Sequence, residues 1–326
     1  MTGRWPVRTA FAVLSRVAPG LAARWALDLF FTPHGRRRSR RGRAFLASGR
    51  RFDVRVEGRR VAGWSWGRGP NVYLVHGWAG VGGQMAAFAP PLVANGFRVV
   101  AFDAPGHGAS EGRRSSIVHF ARALQTIAAQ EGEAHAVIAH SLGAAATVHA
   151  LTEGLRVSRA VFVGPTAGPR DWADRFRNQL GIPTHVMDAM RVRSERWLGL
   201  SWEEFDIARL ARSQTLPLLV FHDRHDVEVP WKDGAAIASA WPGARLVTTT
   251  GLGHQRILRD QRVVHEAVSF VGGAASDRAG KCVRPDCENL VAEGDLCETC
   301  SLEQSLYYRD RRWDARPTEN LSMRSS

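Results

Sequence analysis

The chain has 326 residues, of which 44% are hydrophobic, so it is long enough for one large α/β domain and a small appendage. No apolar run reaches the roughly 18 residues that a membrane-spanning helix needs, so we expect no such helix. The first 70 residues carry the whole net charge of +13, with sixteen arginines against Asp28, Asp53 and Glu57. Such a surplus indicates either a solvated basic extension or a surface that meets anionic phosphates, and the charge alone favours the first only slightly.

Residues 1–50 are predicted to be a basic amphipathic extension. Residues 5–31 have a helical pattern that Pro19-Gly20 breaks. Apolar residues recur there at three- and four-residue steps, with arginines on another face: Phe11, Leu14, Ala18, Leu21, Trp25 and Leu29 against Arg8, Arg16 and Arg24. Such a helix either docks on the main domain, which is the commoner outcome, or lies on a membrane surface. Arg36 to Arg43 is predicted to be a basic linker, and residues 1–43 are a candidate for peripheral contact with anionic membranes.

From residue 51 onward, short apolar runs alternate with helical patterns. A hairpin is predicted over residues 51–57 and 61–66, and buried strands over residues 72–75, 97–102, 136–139, 160–163, 216–221 and 245–249. Helices are predicted between these strands, over residues 84–94, 117–129, 142–151 and 233–240. The alternation indicates an α/β domain over residues 51–272, with a mostly parallel sheet covered by helices on both faces. An insert at residues 166–214, with helices predicted over 171–180, 184–198 and 202–211, is expected to form a small cap.

A serine stands at the corner between a predicted strand and the helix that follows it. At such a sharp turn the hydroxyl of Ser141 projects above the sheet, and crowding requires small neighbours, which Ala139, Gly143 and Ala144 supply. A serine that precedes a helix is also a common N-cap. The turn alone therefore supports the two roles of Ser141, nucleophile and N-cap, about equally.

Two later segments offer the partners that a serine nucleophile needs. A serine hydroxyl is a weak nucleophile and requires a base, which an acid in turn orients. Asp223 and Asp226 follow the predicted strand at 216–221, and His254 follows the last predicted strand. Both segments lie past the C-terminal ends of parallel strands, where sites in open α/β sheets are found. The histidines that compete for the role of base are His76, His107, His140, His222 and His225, and of these we expect His76 and His107 to brace loops.

Five motifs together resemble those of the α/β-hydrolase superfamily. Three of them occur in the family's order along the chain: the nucleophile elbow at Ser141, the D-x-x-V-P segment that begins at Asp226, and the G-x-G-H segment that ends at His254. His76-Gly77-Trp78 after one strand, and the D-A-P-G-H-G-A-S segment at Asp103 after the next, also resemble the family. The resemblance covers roughly residues 55–272. One departure is Ala139, which replaces the first glycine of the usual elbow and keeps that position small.

The resemblance implies a function for each of these segments. It implies that Ser141 is the nucleophile and His254 the base, and that Asp226, three residues before Val229, is the acid in preference to Asp223. Dehalogenases and epoxide hydrolases of the same fold carry an aspartate at the elbow, so the serine points to acyl transfer instead. We expect the backbone N–H groups of Leu142 and Trp78 to form the oxyanion hole.

The predicted function is hydrolysis of carboxylic esters through an acyl-enzyme, with a small-molecule ester or acyl compound as substrate and no cofactor for the chemistry. Thioesters, lactones and peptides remain alternatives, because the cap and the pocket set specificity. A non-catalytic binding protein that keeps the fold is a second class, and an intact triad counts against it. A third class is a nucleic-acid-binding or partner-binding protein that uses the basic arm and the cysteine tail. Nucleic acid is not the expected partner, and steep salt dependence of binding would mark it.

All four cysteines lie in the last fifth of the chain, beyond a predicted linker at residues 273–281. They are Cys282, Cys287, Cys297 and Cys300, in two pairs that nine residues separate. Two close pairs of thiolates predict a closed structural zinc site over residues 282–300, which would serve structure or docking of a protein partner. Free thiols, or two disulfides in an exported protein, are the alternatives. Residues 301–326 are expected to form a flexible tail. Because no disulfide framework spans the main domain, a cytoplasmic location is expected, with any membrane contact at the periphery.

Overall fold

A computed structural model describes residues 5–34, 40–273, 280–281 and 290–291. The chain divides into two compact units, Met1–Gly273 and Ala274–Ser326. In the second unit the described residues form two short antiparallel strands, β9 (Gly280–Lys281) and β10 (Leu290–Val291), with Lys281 opposite Leu290. The cysteines for which zinc was predicted, Cys282, Cys287, Cys297 and Cys300, lie outside the described residues.

Eight strands form one sheet in the described part of the first unit. They are β1 (Arg50–Val56), β2 (Arg59–Trp66), β3 (Asn71–Val75), β4 (Arg98–Phe102), β5 (Ala134–His140), β6 (Val157–Val163), β7 (Leu218–Asp223) and β8 (Arg245–Thr249). Their order across the sheet is β1-β2-β4-β3-β5-β6-β7-β8. The first two pairings, β1 with β2 and β2 with β4, are antiparallel, and the others are parallel. The predicted hairpin, the predicted strands and the mostly parallel sheet are confirmed.

The central strands bury both of their faces, which explains why they are continuously apolar in sequence. In β3, Tyr73 and Val75 pack on one side of the sheet, and Val72 and Leu74 pack on the other. All four side chains are fully buried. Helices α5 (Ile117–Glu131) and α6 (Leu142–Thr152) cover the first side, whereas α4 (Ala89–Ala94) and α12 (Gln261–Val271) cover the second. Two helical layers around a parallel sheet are the expected solution for such strands.

The remaining helices flank the sheet or belong to the extension and the cap. They are α1 (Trp5–Val17), α2 (Pro19–Phe31), α3 (Arg40–Ala47), α7 (Arg170–Leu180), α8 (Thr184–Leu198), α9 (Ile207–Ala211), α10 (Trp231–Ala240) and the single turn α11 (Gly253–Arg256). No helix in the described ranges is both long enough and apolar enough to cross a bilayer.

Three local predictions differ from the structure. The helix expected over 84–94 is a 3₁₀ turn, Gly82–Met85, followed by α4, because two prolines fit only in the first turn of a helix. The helix expected over 202–211 is interrupted at Asp206, whose side chain accepts the N–H of Arg209 at 3.0 Å and begins α9 as a cap. The basic linker expected to end at Arg43 is already helical from Arg40, in α3.

The N-terminal helices dock on the cap, which is the commoner of the two outcomes considered from the sequence. The break between α1 and α2 lies at Ala18, one residue before the proline. Phe11 and Ala26 are buried with Val186 and Met190 of α8 in one apolar cluster. Much of the amphipathic pattern of the extension is therefore satisfied by protein, and this docking brings the extension close to the site described next.

Candidate active site

The turn between β5 and α6 holds Ser141 in a conformation that residues with side chains seldom adopt. Its φ is 54° and its ψ is −120°, and its backbone N–H donates to the carbonyl of Val163 in β6 at 3.0 Å. Its side chain makes no capping hydrogen bond to α6 within the described structure. An N-cap residue has β-region backbone angles and a bonded side chain. Ser141 has neither, so the N-cap interpretation that the sequence left open does not fit.

Small residues make this turn sterically feasible. Helix α6 begins so close to the end of β3 that a Cβ on Gly143 would lie 2.5 Å from the carbonyl oxygen of His76. Ala139, which replaces the usual first glycine of the elbow, is fully buried in β5 between β3 and β6. The sequence predicts that the neighbours of Ser141 must be small, and at Gly143 the close approach to His76 explains why.

The loops after β7 and β8 bring Asp226 and His254 together. Nδ1 of His254 lies 2.6 Å from Oδ2 of Asp226, and Oδ1 of Asp226 accepts the N–H groups of Glu228 and Val229 at 2.8 Å each. Burial alone would raise the pKa of Asp226, but hydrogen bonds from His222, His254 and the backbone outweigh it and lower that pKa. Asp226 is therefore a carboxylate at neutral pH, oriented to accept the Nδ1 proton of His254.

The carboxylate of the alternative acid, Asp223, bonds to groups other than the ring of His254. Its Oδ2 accepts the hydroxyl of Thr249 and the N–H of Leu252, both at 2.8 Å, and its Oδ1 accepts the N–H of His225. These bonds connect the end of β7 to the segment that leads to His254. The structure therefore gives Asp223 the place of a loop brace and Asp226 the contact with the histidine.

Two further histidines contact the pair, and neither role was found from the sequence. Nε2 of His222 donates to the carbonyl of Val229 at 3.1 Å and lies 3.5 Å from Oδ2 of Asp226. Nε2 of His140 donates to the carbonyl of His254 at 3.0 Å. Complete burial holds the pKa of His140 well below its usual value, so this ring is neutral. His225, which completes the set of candidate bases, is exposed on the loop.

A glycine at the end of β6 leaves room for the Asp–His pair. Gly164 has φ 55°, and a Cβ there would lie 3.1 Å from Nδ1 of His254 and 3.5 Å from Oδ2 of Asp226. Any side chain at this position would press on the hydrogen bond between the two. A glycine directly after the strand Val157–Val163 was the only signal in the sequence, and without the contact it could not be distinguished from an ordinary turn residue.

Two loops beside Ser141 brace each other through histidine rings, as expected from the sequence. Nε2 of His76 accepts the N–H of Ala104 at 3.0 Å, and Nε2 of His107 accepts the N–H of Ala79 at 3.1 Å. Burial lowers the pKa of His76 to about 4 and that of His107 to about 3, so both rings are neutral acceptors at neutral pH. This bracing fixes Trp78, which lies between His76 and Ala79 in the first of these loops.

Ser141 and His254 open into one cavity of about 610 Å³, between the sheet and the cap. Trp78 and Leu142, the residues expected to supply oxyanion N–H groups, line the same cavity. Leu142 is the first residue of α6, where backbone N–H groups lack intrahelical acceptors. The described residues contain no hydrogen bond between the Ser141 hydroxyl and His254, and such bonds are often long until a substrate is bound.

Comparison with known families gives one match over half of the chain. The Hydrolase_4 family, described as serine aminopeptidase, S33, matches residues 69–233. The Abhydrolase_4 family, described as TAP-like protein, matches residues 201–294. A pimeloyl-[acyl-carrier protein] methyl ester esterase from Methylococcus capsulatus is 52% identical over 44 residues. That match covers 14% of this chain and only 17% of the esterase.

Solved structures share the fold at low sequence identity. An esterase from Exiguobacterium antarcticum has a TM-score of 0.53 and 16% identity, with 66% of this chain and 97% of that chain covered. A bromoperoxidase from Bacillus anthracis has a TM-score of 0.53 and 17% identity, with 68% of this chain and 99% of that chain covered. The esterase RhEst1 from Rhodococcus sp. ECU1013 has a TM-score of 0.52 and 20% identity, with 70% of this chain and 100% of that chain covered. Because these neighbours include both esterases and a bromoperoxidase, they support the fold and leave the reaction to the site.

The neutral histidines of the loop brace predict a loss of stability in acid. Below about pH 6.5 the unfolded chain protonates these rings, whereas folded His107 stays neutral down to its lowered pKa of about 3. Between these two pKa values, each such ring therefore lowers the free energy of unfolding by about 1.4 kcal/mol for every pH unit of acidification. Urea unfolding of the wild type and of His107→Gln at about pH 5.5 and 4.5 measures the difference. The variant should lose less stability, and equal losses would contradict the burial of a neutral ring.

Proposed function

This chain belongs to the Hydrolase_4 family and is a serine hydrolase of the α/β fold, and we propose that it hydrolyses carboxylic esters with Ser141, His254 and Asp226 as its catalytic triad. The observation that carries the proposal is the 2.6 Å contact of His254 with Asp226, because His254 lines the same cavity as Ser141 at its strained turn. A serine, a base and a buried carboxylate arranged in this way are the requirements of nucleophilic acyl transfer.

The proposed reaction proceeds in two steps. The Ser141 hydroxyl attacks the ester carbonyl while Nε2 of His254 takes its proton, and Asp226 stabilises the imidazolium through Nδ1. The N–H groups of Leu142 and Trp78 stabilise the oxyanion, and His254 then protonates the departing alcohol. Water attacks the resulting acyl-enzyme, again with His254 as base, and releases the acid and Ser141. The lowered pKa of Asp226 keeps it ionised throughout.

An ester is favoured over a peptide by the lining of the cavity. Among the described residues that line it, Glu228 is the one acidic residue, and none is arginine or lysine, although the chain has 44 basic residues. The walls contain many apolar side chains, including Trp172, Phe176 and Leu198. Such a cavity suits an uncharged apolar substrate and offers few polar groups to a peptide backbone.

Substitution of the proposed triad should separate catalysis from loop structure. Ser141→Ala should lower the turnover of p-nitrophenyl esters on the order of 10⁶-fold, and Asp226→Asn on the order of 10⁴-fold, in folded proteins. The control is Asp223→Asn, which disturbs the bonds to Thr249 and Leu252. It should lower stability by about 1–3 kcal/mol and affect turnover much less than Asp226→Asn. Retention of more than about a tenth of the activity by Ser141→Ala would refute the nucleophile, and the reverse ranking of the aspartates would move the acid to Asp223.

We also propose structural zinc at Cys282, Cys287, Cys297 and Cys300. The observation behind this proposal is the spacing of the four cysteines, which form two close pairs separated by nine residues in the sequence. Thiolates presented in two close pairs bind zinc tetrahedrally, and the metal would supply the folding energy of a segment too short for its own core. A site closed by four sulfurs serves structure or partner docking and leaves the ester chemistry unchanged.

The zinc proposal predicts about one zinc per chain in full-length protein purified under reducing conditions without chelator. Metal content measured by mass spectrometry should fall close to zero in a Cys297→Ser/Cys300→Ser variant. Hydrolysis of p-nitrophenyl esters by that variant should match the wild type. Zinc-free wild-type protein would refute the site.

A third proposal is that the extension contacts anionic membranes. With α1 and α2 docked on the cap, Val13, Val17 and Leu21 are still 57%, 73% and 54% exposed, and Arg16 and Arg24 are also exposed. Exposed apolar side chains beside arginines suit an interface with anionic lipid.

Sedimentation with phosphatidylserine-containing vesicles tests the membrane contact. Binding should be stronger than to neutral vesicles, should weaken at about 0.5 M salt, and should fall in a Val17→Asp/Leu21→Asp variant. Equal binding by this variant would rule out the contact.

A further inference from the structure

The N-terminal extension lines the cavity that holds Ser141 and His254. Val7 of α1, Leu29 of α2, and Phe30, Phe31 and Thr32 contribute to its wall. These residues lie outside residues 69–233, the part of the chain that matches the serine hydrolase family. One wall of the cavity therefore comes from a part of the chain outside that match.

This wall is held in place by specific contacts. The carbonyl of Phe31 accepts the N–H of Ser115 at 2.8 Å, and the side chains of Asp28 and Arg114 form an ion pair just before α5. Arg8 donates to the carbonyls of Asn178 and Gln179 at the end of α7, both at 3.1 Å. Contacts both to the catalytic domain and to the cap fix the helices over the cavity.

Aromatic packing joins the same wall to the cap. The ring of Phe30 lies 5.2 Å from that of Phe176 and 5.8 Å from that of Trp202, and the ring of Phe31 lies 5.2 Å from that of Trp197. Aromatic pairs at these distances add to the stabilisation that burial provides. The extension and the cap thus share one aromatic cluster, which forms part of the cavity wall.

Two polar side chains of the cavity lining, Glu228 and Gln255, lie together at His254. Gln255 follows His254 in the chain, and its side-chain amide lies 3.4 Å from the carboxylate of Glu228. In acyl transfer the leaving alcohol departs next to the histidine that protonates it. The part of the cavity at Glu228 and Gln255 therefore suits the alcohol, which leaves the aromatic wall at Phe30 and Phe176 for the acyl chain.

We propose that α1 and α2 form one wall of an acyl-chain pocket, and that the substrates are esters of uncharged, apolar carboxylic acids. This inference rests on the proposed esterase function and names its substrate class. Each methylene that the pocket removes from water should raise kcat/KM about threefold to fourfold, because burial of a methylene contributes about 0.8 kcal/mol. Leu29 is half-buried and lines the cavity from the side of the extension, so a change in its size should change the space for the acyl chain.

The test is the chain-length profile of full-length protein on p-nitrophenyl esters from acetate to dodecanoate. Wild-type kcat/KM should rise from acetate to octanoate. Leu29→Trp should lower the octanoate-to-acetate ratio of kcat/KM about tenfold, whereas Leu29→Ala should move the optimum to longer chains. The matched control is Leu21→Trp, the same change on the same helix at a side chain that is 54% exposed and outside the cavity lining. Its profile should equal that of the wild type.

The outcomes distinguish this inference from the proposed function. If every ester, acetate included, resists hydrolysis, the esterase function fails and the inference fails with it. If acetate is hydrolysed in a Ser141-dependent way but acetate is the best substrate, or both Leu29 variants keep the wild-type profile, the inference alone is overturned. If Leu29→Trp moves the optimal chain length to shorter esters and Leu29→Ala moves it to longer ones, the inference is supported even if one variant is less stable.

Discussion

The strained backbone at Ser141 is the constraint on which the rest of the site depends. A residue with a side chain at φ 54° costs on the order of 1–3 kcal/mol, and it persists only where its surroundings fix it. Here β5 lies in the middle of the sheet, the N–H of Ser141 is bonded to β6, and Gly143 lets α6 begin against β3. The stability of the whole sheet offsets the strain and directs one hydroxyl into the cavity above the strand ends.

The other parts of the site are built around that fixed point by contacts between loops. The Asp226 carboxylate, the ring of His254 and the empty space at Gly164 come from three different strand ends that parallel pairing brings together. Histidines that do no proposed chemistry support them: His140 bonds to the backbone of His254, and His76 and His107 connect the loops beside Ser141. Burial keeps these supporting rings neutral, so they remain hydrogen-bond acceptors and donors at fixed positions.

Much of the fold and the candidate triad could be predicted from the sequence, because both depend on local patterns. Apolar runs of strand length predict a buried parallel sheet, and motifs at strand ends predict Ser141, Asp226 and His254. Contacts between distant segments could not be predicted in the same way. Nothing local in Phe30 or Phe31 shows that they pack on Phe176 and Trp197, so their place in the cavity wall became visible only with the structure. The supporting roles of His140 and His222 were missed for the same reason.

Covalent labelling with a fluorophosphonate reports directly on Ser141, because it requires an activated serine but no knowledge of the natural substrate. Trypsin should release residues 123–156 as one peptide, in which Ser141 is the only serine. Mass spectrometry should find a single phosphonyl adduct on this peptide, and none in Ser141→Ala or in protein unfolded before labelling. An adduct on a different serine, or the absence of any adduct on folded protein that hydrolyses esters, would contradict the assignment of Ser141 as the nucleophile.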